Sequence, residues 1–398
     1  MNKEIKLERK NSNNILLVAN YESDVGYAWW LMENYWVEIS RFFCKKNRLC
    51  FLIYPKINTI PAKILDSSIT VLEHDFKDKS KQSLCRLKNV VLTNNITSIY
   101  LTDKNYYDFY YLVLRTWGIK KIVNHDHWGI KDIGSRDHSL SKRRFLSLVK
   151  KIIFFIIAKI GLFSCSYYIG VSNFVRESLI NNVYISPKRC SYVLNGIDPI
   201  KIQEKYNYYT SELFDIHKNS IIIVTIGRAS FYKGIDFLIK CANILINEKK
   251  EHSLYFIHCG DGPDLYAFKN MSKKYGLTKR FIFAGKRNDI RQILQSCHIG
   301  IQASLGEAFS LAVLEYMSAG LAALAPNNTG NKEAISDGEN GILYPPGDLE
   351  YVTEMLQTLA HNPLRREQLG HAAEQSVKEK FNIKRTSAEF IELIADKL

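Results

Sequence analysis

Two glutamates spaced eight residues apart mark the segment from Gly306 to Gly320 as the most informative part of the sequence. A helix should begin near Ala308 or Phe309, with Glu307 in the loop before it and Glu315 about two turns along it. The free amides at a helix start and the positive end of its dipole favour phosphate groups. Carboxylates on both sides of these amides can accept hydrogen bonds from sugar and ribose hydroxyls. The segment therefore predicts a site for a ligand that combines phosphates with hydroxyl groups.

A structural interpretation of both glutamates stays open. Glu307 can be a favourable charge at a helix N-terminus, and Glu315 can be a solvated side chain. For Glu315 this conflicts with its apolar neighbours, because a buried carboxylate needs a polar partner. These neighbours are Leu311, Val313, Leu314 and Met317.

Two cations occur upstream, in a loop that follows a strand predicted over Ile221–Ile226. Arg228 comes directly after Gly227, and Lys233 stands five residues beyond the arginine. A planar guanidinium and a compact ammonium suit a pyrophosphate, because both donate charge-assisted hydrogen bonds to its oxygens. A solvated loop with two exposed cations is the alternative.

Glycines follow other predicted strand ends. Gly260 and Gly262 form part of a tight turn over 260–263, and Gly26 comes shortly after the first strand. Glycine lets a ligand approach the backbone closely, so Gly260 and Gly262 are candidates for the phosphate ligand and Gly26 for a second substrate. A plain turn fits each of these positions as well.

His125 and His127 flank Asp126 after a further predicted strand. His125 can hydrogen-bond a bound sugar or support a reacting centre, and a structural histidine is the alternative. The His-x-His pair also suggests a metal site, but no third ligand follows at a suitable spacing. The sequence also lacks an Asp-x-Asp motif that would hold a divalent cation on a diphosphate. We therefore expect neither a metal ion nor a cofactor.

The elements that must position these residues alternate along the chain. Short apolar runs typical of strands are followed by helical patterns, which indicates an α/β fold around parallel sheets. Six such runs fall in the first half and five in the second. The 398 residues suffice for two doubly wound domains, over 14–200 and 201–373, after a disordered tail over 1–13. In such sheets ligands bind at the carboxyl ends of strands, which is where the candidate residues fall.

The formal net charge of +14 favours anionic partners such as nucleotides, acidic lipids or nucleic acid. Between residues 136 and 159, seven Lys and Arg side chains oppose only Asp137 and are interleaved with apolar residues. An amphipathic helix on an anionic membrane surface would have the composition of 136–160, and a core helix with solvated lysines is the alternative. Lysines interrupt the stretch too often for a membrane-spanning helix.

The expected location is the cytoplasm. The eight cysteines form no Cys-x-x-Cys pair and fit reduced thiols of the cytosol. The first thirteen residues contain no apolar stretch typical of a secretory signal. Peripheral contact with the inner face of the cell membrane through 136–160 is compatible with this location.

These motifs together resemble those of the family 4 retaining glycosyltransferases, which have the GT-B fold. The resemblance covers the second half of the chain almost completely and the first half in patches. The matching residues are Val25-Gly26, His125-Asp126, Val171-Ser172, Asn195-Gly196-Ile197-Asp198, Gly227-Arg228, Lys233-Gly234, Gly260-Asp261-Gly262-Pro263, Glu307 with Glu315, and Asn340-Gly341. The resemblance implies two Rossmann-like domains facing a central cleft, and a final helix over about 374–398 that returns to the first domain.

By the same resemblance, Arg228 and Lys233 bind the diphosphate of a nucleotide-sugar donor. Glu307 binds the transferred sugar, and Glu315 binds the ribose. The donor also meets backbone amides, namely those of Phe309, Ser310 and Leu311. Ser310 stands where the family usually has a glycine, and Val25 stands where it usually has the first glycine of a pair.

The sequence thus predicts a retaining glycosyltransferase that moves a hexose-type sugar to a glycan acceptor, lipid-linked, in cell-surface polysaccharide or lipopolysaccharide synthesis. Its predicted catalytic residues are Glu307, His125, Arg228 and Lys233. An epimerase or phosphorylase of the same fold stays open. A non-catalytic partner subunit would be expected to lose Arg228, Lys233 or the glutamates, and all are present here. The net charge also fits a basic nucleic-acid-binding protein, although the sequence contains no helix-turn-helix, zinc or aromatic RNA-binding motif.

Overall fold

The structure is a computed structural model, and it describes residues 13–26, 29–128, 161–203 and 206–398. The basic stretch over 136–160 and nearly all of the predicted tail lie outside these residues. The described residues form two compact units. Unit 1 contains those up to 128, those of 161–193 and those of 387–398, and unit 2 contains those of 194–386. The division between Val193 and Leu194 lies seven residues before the predicted one.

Unit 1 is built on a parallel sheet of seven strands in the order β3-β2-β1-β4-β5-β6-β7. The strands are β1 (Asn14–Val18), β2 (Cys50–Tyr54), β3 (Thr70–Glu73), β4 (Ile96–Thr102), β5 (Lys121–Asp126), β6 (Tyr167–Gly170) and β7 (Cys190–Tyr192). Among the described residues before 194, the helices are α1 (Trp30–Cys44), α2 (Ala62–Leu65), α3 (Lys81–Thr93), α4 (Phe109–Thr116) and α5 (Asn173–Asn181).

The middle of this sheet is buried on both faces. Every residue of β1 and β4 is buried, as expected for parallel strands covered by helices. Residues 387–398 complete the unit, since the Phe390 ring packs on Tyr35 and stacks on His125. Arg48 donates a hydrogen bond to the Leu398 carbonyl over 3.0 Å.

Unit 2 contains a second parallel sheet, of six strands in the order β10-β9-β8-β11-β12-β13. The strands are β8 (Ile221–Ile226), β9 (Leu254–Cys259), β10 (Phe281–Gly285), β11 (Ile299–Ile301), β12 (Ala322–Pro326) and β13 (Ile342–Tyr344). The helices are α6 (Tyr209–Leu213), α7 (Ile235–Asn243), α8 (Leu265–Lys274), α9 (Ile290–Gln295), α10 (Leu311–Ser318), α11 (Asn331–Ala334), α12 (Leu349–His361), α13 (Pro363–Glu379) and α14 (Ile383–Ile394), the last of which continues into unit 1.

Both sheets have the doubly wound order in which the chain starts near the middle and reverses direction. The reversal in unit 2 falls between β8 and β11, because β9 and β10 lie on one side of β8 and β11 to β13 on the other. The loops after β8 and β11 therefore run in opposite directions and leave a crevice between them. Such a crevice is the usual ligand site of these sheets.

Two helix predictions differ from the structure. Helix α10 begins at Leu311 rather than near 308, because Ser310 caps it, and Glu315 lies about one turn along it. The single helix predicted over 374–398 is interrupted between Glu379 and Ile383. There the backbone leaves the helix to bond with Ile197, whose N–H donates to Phe381 O and whose carbonyl accepts from Ile383 N.

No helix in the described ranges is both long and apolar enough to cross a bilayer.

Candidate functional site

The loop after β8 carries the two predicted cations. Arg228 is exposed and forms no hydrogen bond or ion pair with the described residues, so its guanidinium is available to a ligand. The chain then makes a short 3-10 turn over Phe231–Lys233, and Gly234 follows in the left-handed region at φ 69°. A Cβ on Gly234 would lie 2.1 Å from Ala303 O, so only glycine lets this loop reach the end of β11.

The glycine turn after β9 lies directly against the loop after β8. A Cβ on Gly260 would stand 1.8 Å from Gly227 O, and one on Gly262 would stand 2.4 Å from Ala229 O. The Ala229 N–H also donates to Asp261 O over 3.0 Å. Gly260 and Gly262 are thus required by backbone packing, whether or not a ligand touches them.

Glu307 is the centre of a polar cluster beside Lys233. Lys233 Nζ lies 2.5 Å from Glu307 Oε1, and both side chains are largely buried, with 27% and 15% of their surfaces exposed. Gln302 Nε2 and Ser304 Oγ also donate to Oε1, over 2.7 and 2.6 Å. Oε2 accepts no hydrogen bond from any described residue. One carboxylate oxygen therefore fixes the side chain, and the other stays available to a hydroxyl.

The backbone around Glu307 is held from two sides. On one side Tyr232 OH donates to Gly306 O over 2.6 Å, and Leu305 N donates to Tyr232 O over 3.0 Å. On the other side Glu307 N donates to Thr329 Oγ1 over 2.9 Å. The loops after β8, β11 and β12 are therefore joined at this turn.

Helix α10 presents its N-terminus next to this cluster. Ser310 Oγ accepts from Val313 N and caps the helix. The Phe309 ring is buried, and its centroid lies 5.8 Å from that of the Phe381 ring. The first N–H groups of a helix have no partner inside it, so those near Leu311 can donate to an anion.

Glu315 lies on α10, one residue before Tyr316. The Tyr316 hydroxyl accepts a hydrogen bond from Ile226 N over 2.7 Å, which places this helix against the end of β8. No described residue donates a hydrogen bond to the Glu315 carboxylate. Burial raises its pKa to about 7, and the more distant Arg291 opposes this rise. Glu315 is partly exposed, so its carboxylate can also meet solvent or a ligand.

His125 belongs to unit 1 and is fully buried. The Tyr100 hydroxyl and His125 Nδ1 share a hydrogen bond of 2.7 Å, whereas Nε2 has no partner. Burial and the neighbouring His127, whose ring centroid is 4.3 Å away, hold the pKa of His125 well below its usual range. The imidazole is therefore neutral and can accept or donate one hydrogen bond through Nε2.

Gly26 lies in an exposed turn of unit 1 at φ 72°. Its carbonyl accepts from Trp29 N over 3.3 Å, immediately before α1. Trp29 packs edge-on against Tyr21 and Trp36, with centroid distances of 5.0 and 5.6 Å. Aromatic side chains thus pack close to this turn.

The structure brings most of the predicted donor residues to one edge of unit 2, while His125 and Gly26 lie in unit 1. The sequence did not single out Tyr232, Gln302 or Ser304. Gln302 and Ser304 follow a buried apolar strand directly, and polar residues at that position were the signal that could have identified them. Among the described residues no group of three His, Cys, Asp or Glu side chains is placed to hold a metal ion.

Comparison with known families finds a match to part of the second half of the chain. Residues 211–376 match the family model of the glycosyl transferases group 1. This region contains the loops after β8 to β12 and the whole Glu307 cluster.

Two curated relatives match over a similar region. The putative glycosyltransferase EpsD of Bacillus subtilis is 27% identical over 195 residues, which cover 49% of this chain and 48% of that protein. The UDP-Gal:alpha-D-GlcNAc-diphosphoundecaprenol alpha-1,3-galactosyltransferase of Escherichia coli is 27% identical over 213 residues, covering 53% and 54%. The chain therefore spans about half the length of the curated relatives it matches.

Among solved structures, Anabaena HepE in complex with UDP-glucose superimposes with a TM-score of 0.73, at 17% identity. The superposition covers 96% of this chain and 99% of HepE. Such a likeness extends over both units. The chain thus has the GT-B fold, and residues 211–376 of its second unit match the glycosyl transferases group 1 family.

Proposed function

We propose that this protein is a retaining glycosyltransferase that moves a hexose from a nucleoside-diphosphate sugar to a lipid-linked glycan acceptor. The observation that carries the proposal is the Lys233–Glu307 contact of 2.5 Å, placed beside the N-terminus of α10. An ammonium, a carboxylate and helix amides at one strand edge match a ligand with a diphosphate joined to a hydroxylated ring.

The cations act on the leaving group. As the bond to the anomeric carbon breaks, negative charge develops on the diphosphate, and preorganised positive groups stabilise it. Arg228 supplies a free guanidinium, and the contact with Glu307 fixes the position of the Lys233 ammonium. The helix amides near Leu311 add partial positive charge. These groups take the role that a divalent cation has in other diphosphate sites, so we propose catalysis without a metal ion or cofactor.

Glu307 orients the sugar rather than attacking it. Its Oε1 already accepts hydrogen bonds from Lys233, Gln302 and Ser304, which leaves Oε2 for a sugar hydroxyl. Glu315 would receive the ribose hydroxyls. His125, whose Nε2 has no partner among the described residues, stays a candidate for a hydrogen bond to a substrate hydroxyl. We assign no covalent nucleophile, and the retained anomeric configuration rests on the family resemblance.

The substrates are proposed from the named relatives. HepE is described with UDP-glucose, and the E. coli relative is named for UDP-galactose and a diphosphoundecaprenol-linked acceptor. UDP-hexoses and a polyprenyl-diphosphate-linked sugar are therefore the first substrates to test. A lipid-linked acceptor in polysaccharide or lipopolysaccharide synthesis would keep the enzyme at the cytoplasmic face of the membrane.

The test compares Arg228→Ala and Lys233→Ala with Lys240→Ala, an exposed lysine of α7 that pairs with Asp236. Removing one preorganised charge from a leaving diphosphate should lower kcat/KM about 100-fold. The Lys240 variant should keep the wild-type rate. Transfer is measured with UDP-glucose or UDP-galactose by the appearance of sugar on the acceptor, which also separates a transferase from an epimerase or phosphorylase. Near wild-type turnover in both site variants would overturn the proposal.

A further inference from the structure

Thr329 has a backbone conformation that disfavours its side chain. Its φ is 45°, in the left-handed region, where a β-branched residue is a genuine outlier. The other non-glycine residues with positive φ in the described ranges are Asn47, Asn95, Asp103, Tyr184, Asp215 and Lys250. None of these is β-branched. Backbone strain of this kind persists only where the surrounding structure holds it in place, and it concentrates at functional sites.

The strained conformation brings the Thr329 hydroxyl to Glu307. Thr329 Oγ1 accepts the Glu307 N–H over 2.9 Å and donates to Asn328 Oδ1 over 3.2 Å. Asn328 Nδ2 in turn donates to Leu305 O over 3.0 Å. The hydroxyl is thus one member of a short hydrogen-bonded chain that joins both sides of the Glu307 turn.

The next residue ties down the other polar group of the Glu307 backbone. Gly330 N donates to Glu307 O over 2.9 Å, and a Cβ on Gly330 would lie 1.9 Å from Ala308 O. The two residues therefore hold the Glu307 N–H and carbonyl at once. Only glycine fits at 330, whereas glycine at 329 would adopt the observed φ without strain.

We propose that Thr329 is a positioning residue for Glu307. Threonine at this position costs backbone strain that glycine would avoid, and the hydroxyl it adds bonds to the backbone of the residue that meets the sugar. Thr329 touches no substrate in this scheme, since it fixes the turn from which the Glu307 carboxylate projects, while Ser310 caps α10 independently. The proposal rests on the function proposed above.

The experiment compares Thr329→Gly, which removes both strain and hydroxyl, with Thr329→Ser, which keeps the hydroxyl. Lys250→Gly is the matched control, because Lys250 also has a positive φ of 61° in unit 2 and lies before β9, at the edge opposite the site. The measurements are hydrogen exchange of peptides covering 305–312, kcat and KM with a UDP-hexose, UDP affinity and melting temperature.

In Thr329→Gly we expect faster exchange across 305–312 and about a tenfold fall in kcat, because a misplaced binding group loses much of its effect. UDP affinity should stay within about twofold, since Arg228 and Lys233 are unchanged. The melting temperature should stay within about 3 °C or rise, because relief of strain offsets the lost hydrogen bond. Thr329→Ser should keep the wild-type exchange rates and kcat, and Lys250→Gly should change neither quantity.

Unchanged exchange over 305–312 in Thr329→Gly would overturn the proposal, whatever the enzyme transfers. A fall in kcat that follows a fall in melting temperature, without rescue by serine, would also overturn it by showing a purely structural role. If the wild-type enzyme transfers sugar and Thr329→Gly is equally active, this inference would be wrong and the proposed function would stand. Failure of both Arg228→Ala and Lys233→Ala to lower transfer would remove the proposed function, and the exchange measurement would still decide the role of Thr329.

Discussion

At the scale of a single residue, Glu315 makes the stability of the protein depend on pH. Burial raises the pKa of its carboxyl from 4.5 to about 7, with Arg291 as a weaker opposing charge. A raised pKa in the folded state means that folding favours the protonated acid. The contribution of Glu315 to stability is therefore complete below about pH 4.5 and is lost as the pH rises through about 7. The difference amounts to about 3 kcal/mol.

The measurement is the melting temperature of wild type and Glu315→Gln between pH 5 and pH 8. Glutamine cannot ionise, so the variant should gain stability relative to wild type as the pH rises. Glu354→Gln, an exposed position on α12, is the matched control and should show a constant difference across the same range. A constant difference for Glu315→Gln as well would contradict the raised pKa.

The residue types of the site were visible in the sequence, but their partners were not. Arg228, Lys233, Glu307 and Glu315 follow strand ends or start a helix, and such positions can be predicted from hydrophobic periodicity. The contact between Lys233 and Glu307 joins residues 74 positions apart, so it depends on the packing of three loops. Thr329 was only one of several turn residues in the sequence, because neither its φ nor its bond to Glu307 leaves a sequence pattern.

At the scale of elements, Ser310 determines how α10 begins. It stands where the resembling family usually has a glycine, and its side chain caps the helix. A serine cap stabilises a helix by about 1 kcal/mol relative to alanine, whereas glycine costs only a few tenths. We expect Ser310→Ala to lower the melting temperature by about 2 to 4 °C, and Ser310→Gly to change it by less than 1 °C. Calorimetry of the three proteins measures both shifts.

Both Ser310 variants should also bind UDP like the wild type, because the backbone amides of α10 remain. Ser172→Ala tests the same kind of cap in unit 1, where Ser172 Oγ accepts from Val175 N, and should cost a similar amount. Equal stability of alanine and glycine at 310 would show that the cap contributes little to α10.

The fold was predictable because most strands are long enough to show a pattern. The eleven predicted strands all appear in the structure, and β8 and β9 have the predicted bounds. The two strands that the sequence missed, β7 and β13, contain three residues each, and so short a run is hard to distinguish from a loop. β11 is equally short, but it was predicted as part of a longer run over 299–303. The interruption before α14 was missed because the bonds that cause it go to Ile197, far away in the chain.

At the scale of the whole molecule, the charge is concentrated in one stretch of sequence. The seven basic residues and one acid between 136 and 159 account for +6 of the net +14. This stretch lies outside the described residues, so its composition alone supports contact with an anionic membrane. Each Lys or Arg near an anionic surface contributes about 1 kcal/mol, and salt screens this attraction.

The charge pattern predicts that the protein binds anionic phosphatidylglycerol vesicles more tightly than neutral phosphatidylcholine vesicles, and that binding weakens as salt increases. Reversing Lys150 and Lys151 to Glu should lower vesicle affinity at least tenfold, since each reversal removes an attraction and adds a repulsion. Reversing Lys249 and Lys250 in unit 2 changes the net charge equally and should leave vesicle binding nearly intact. Equal losses in the two double variants would assign binding to net charge, and tighter salt-sensitive binding to duplex DNA than to vesicles would favour a nucleic-acid-binding protein.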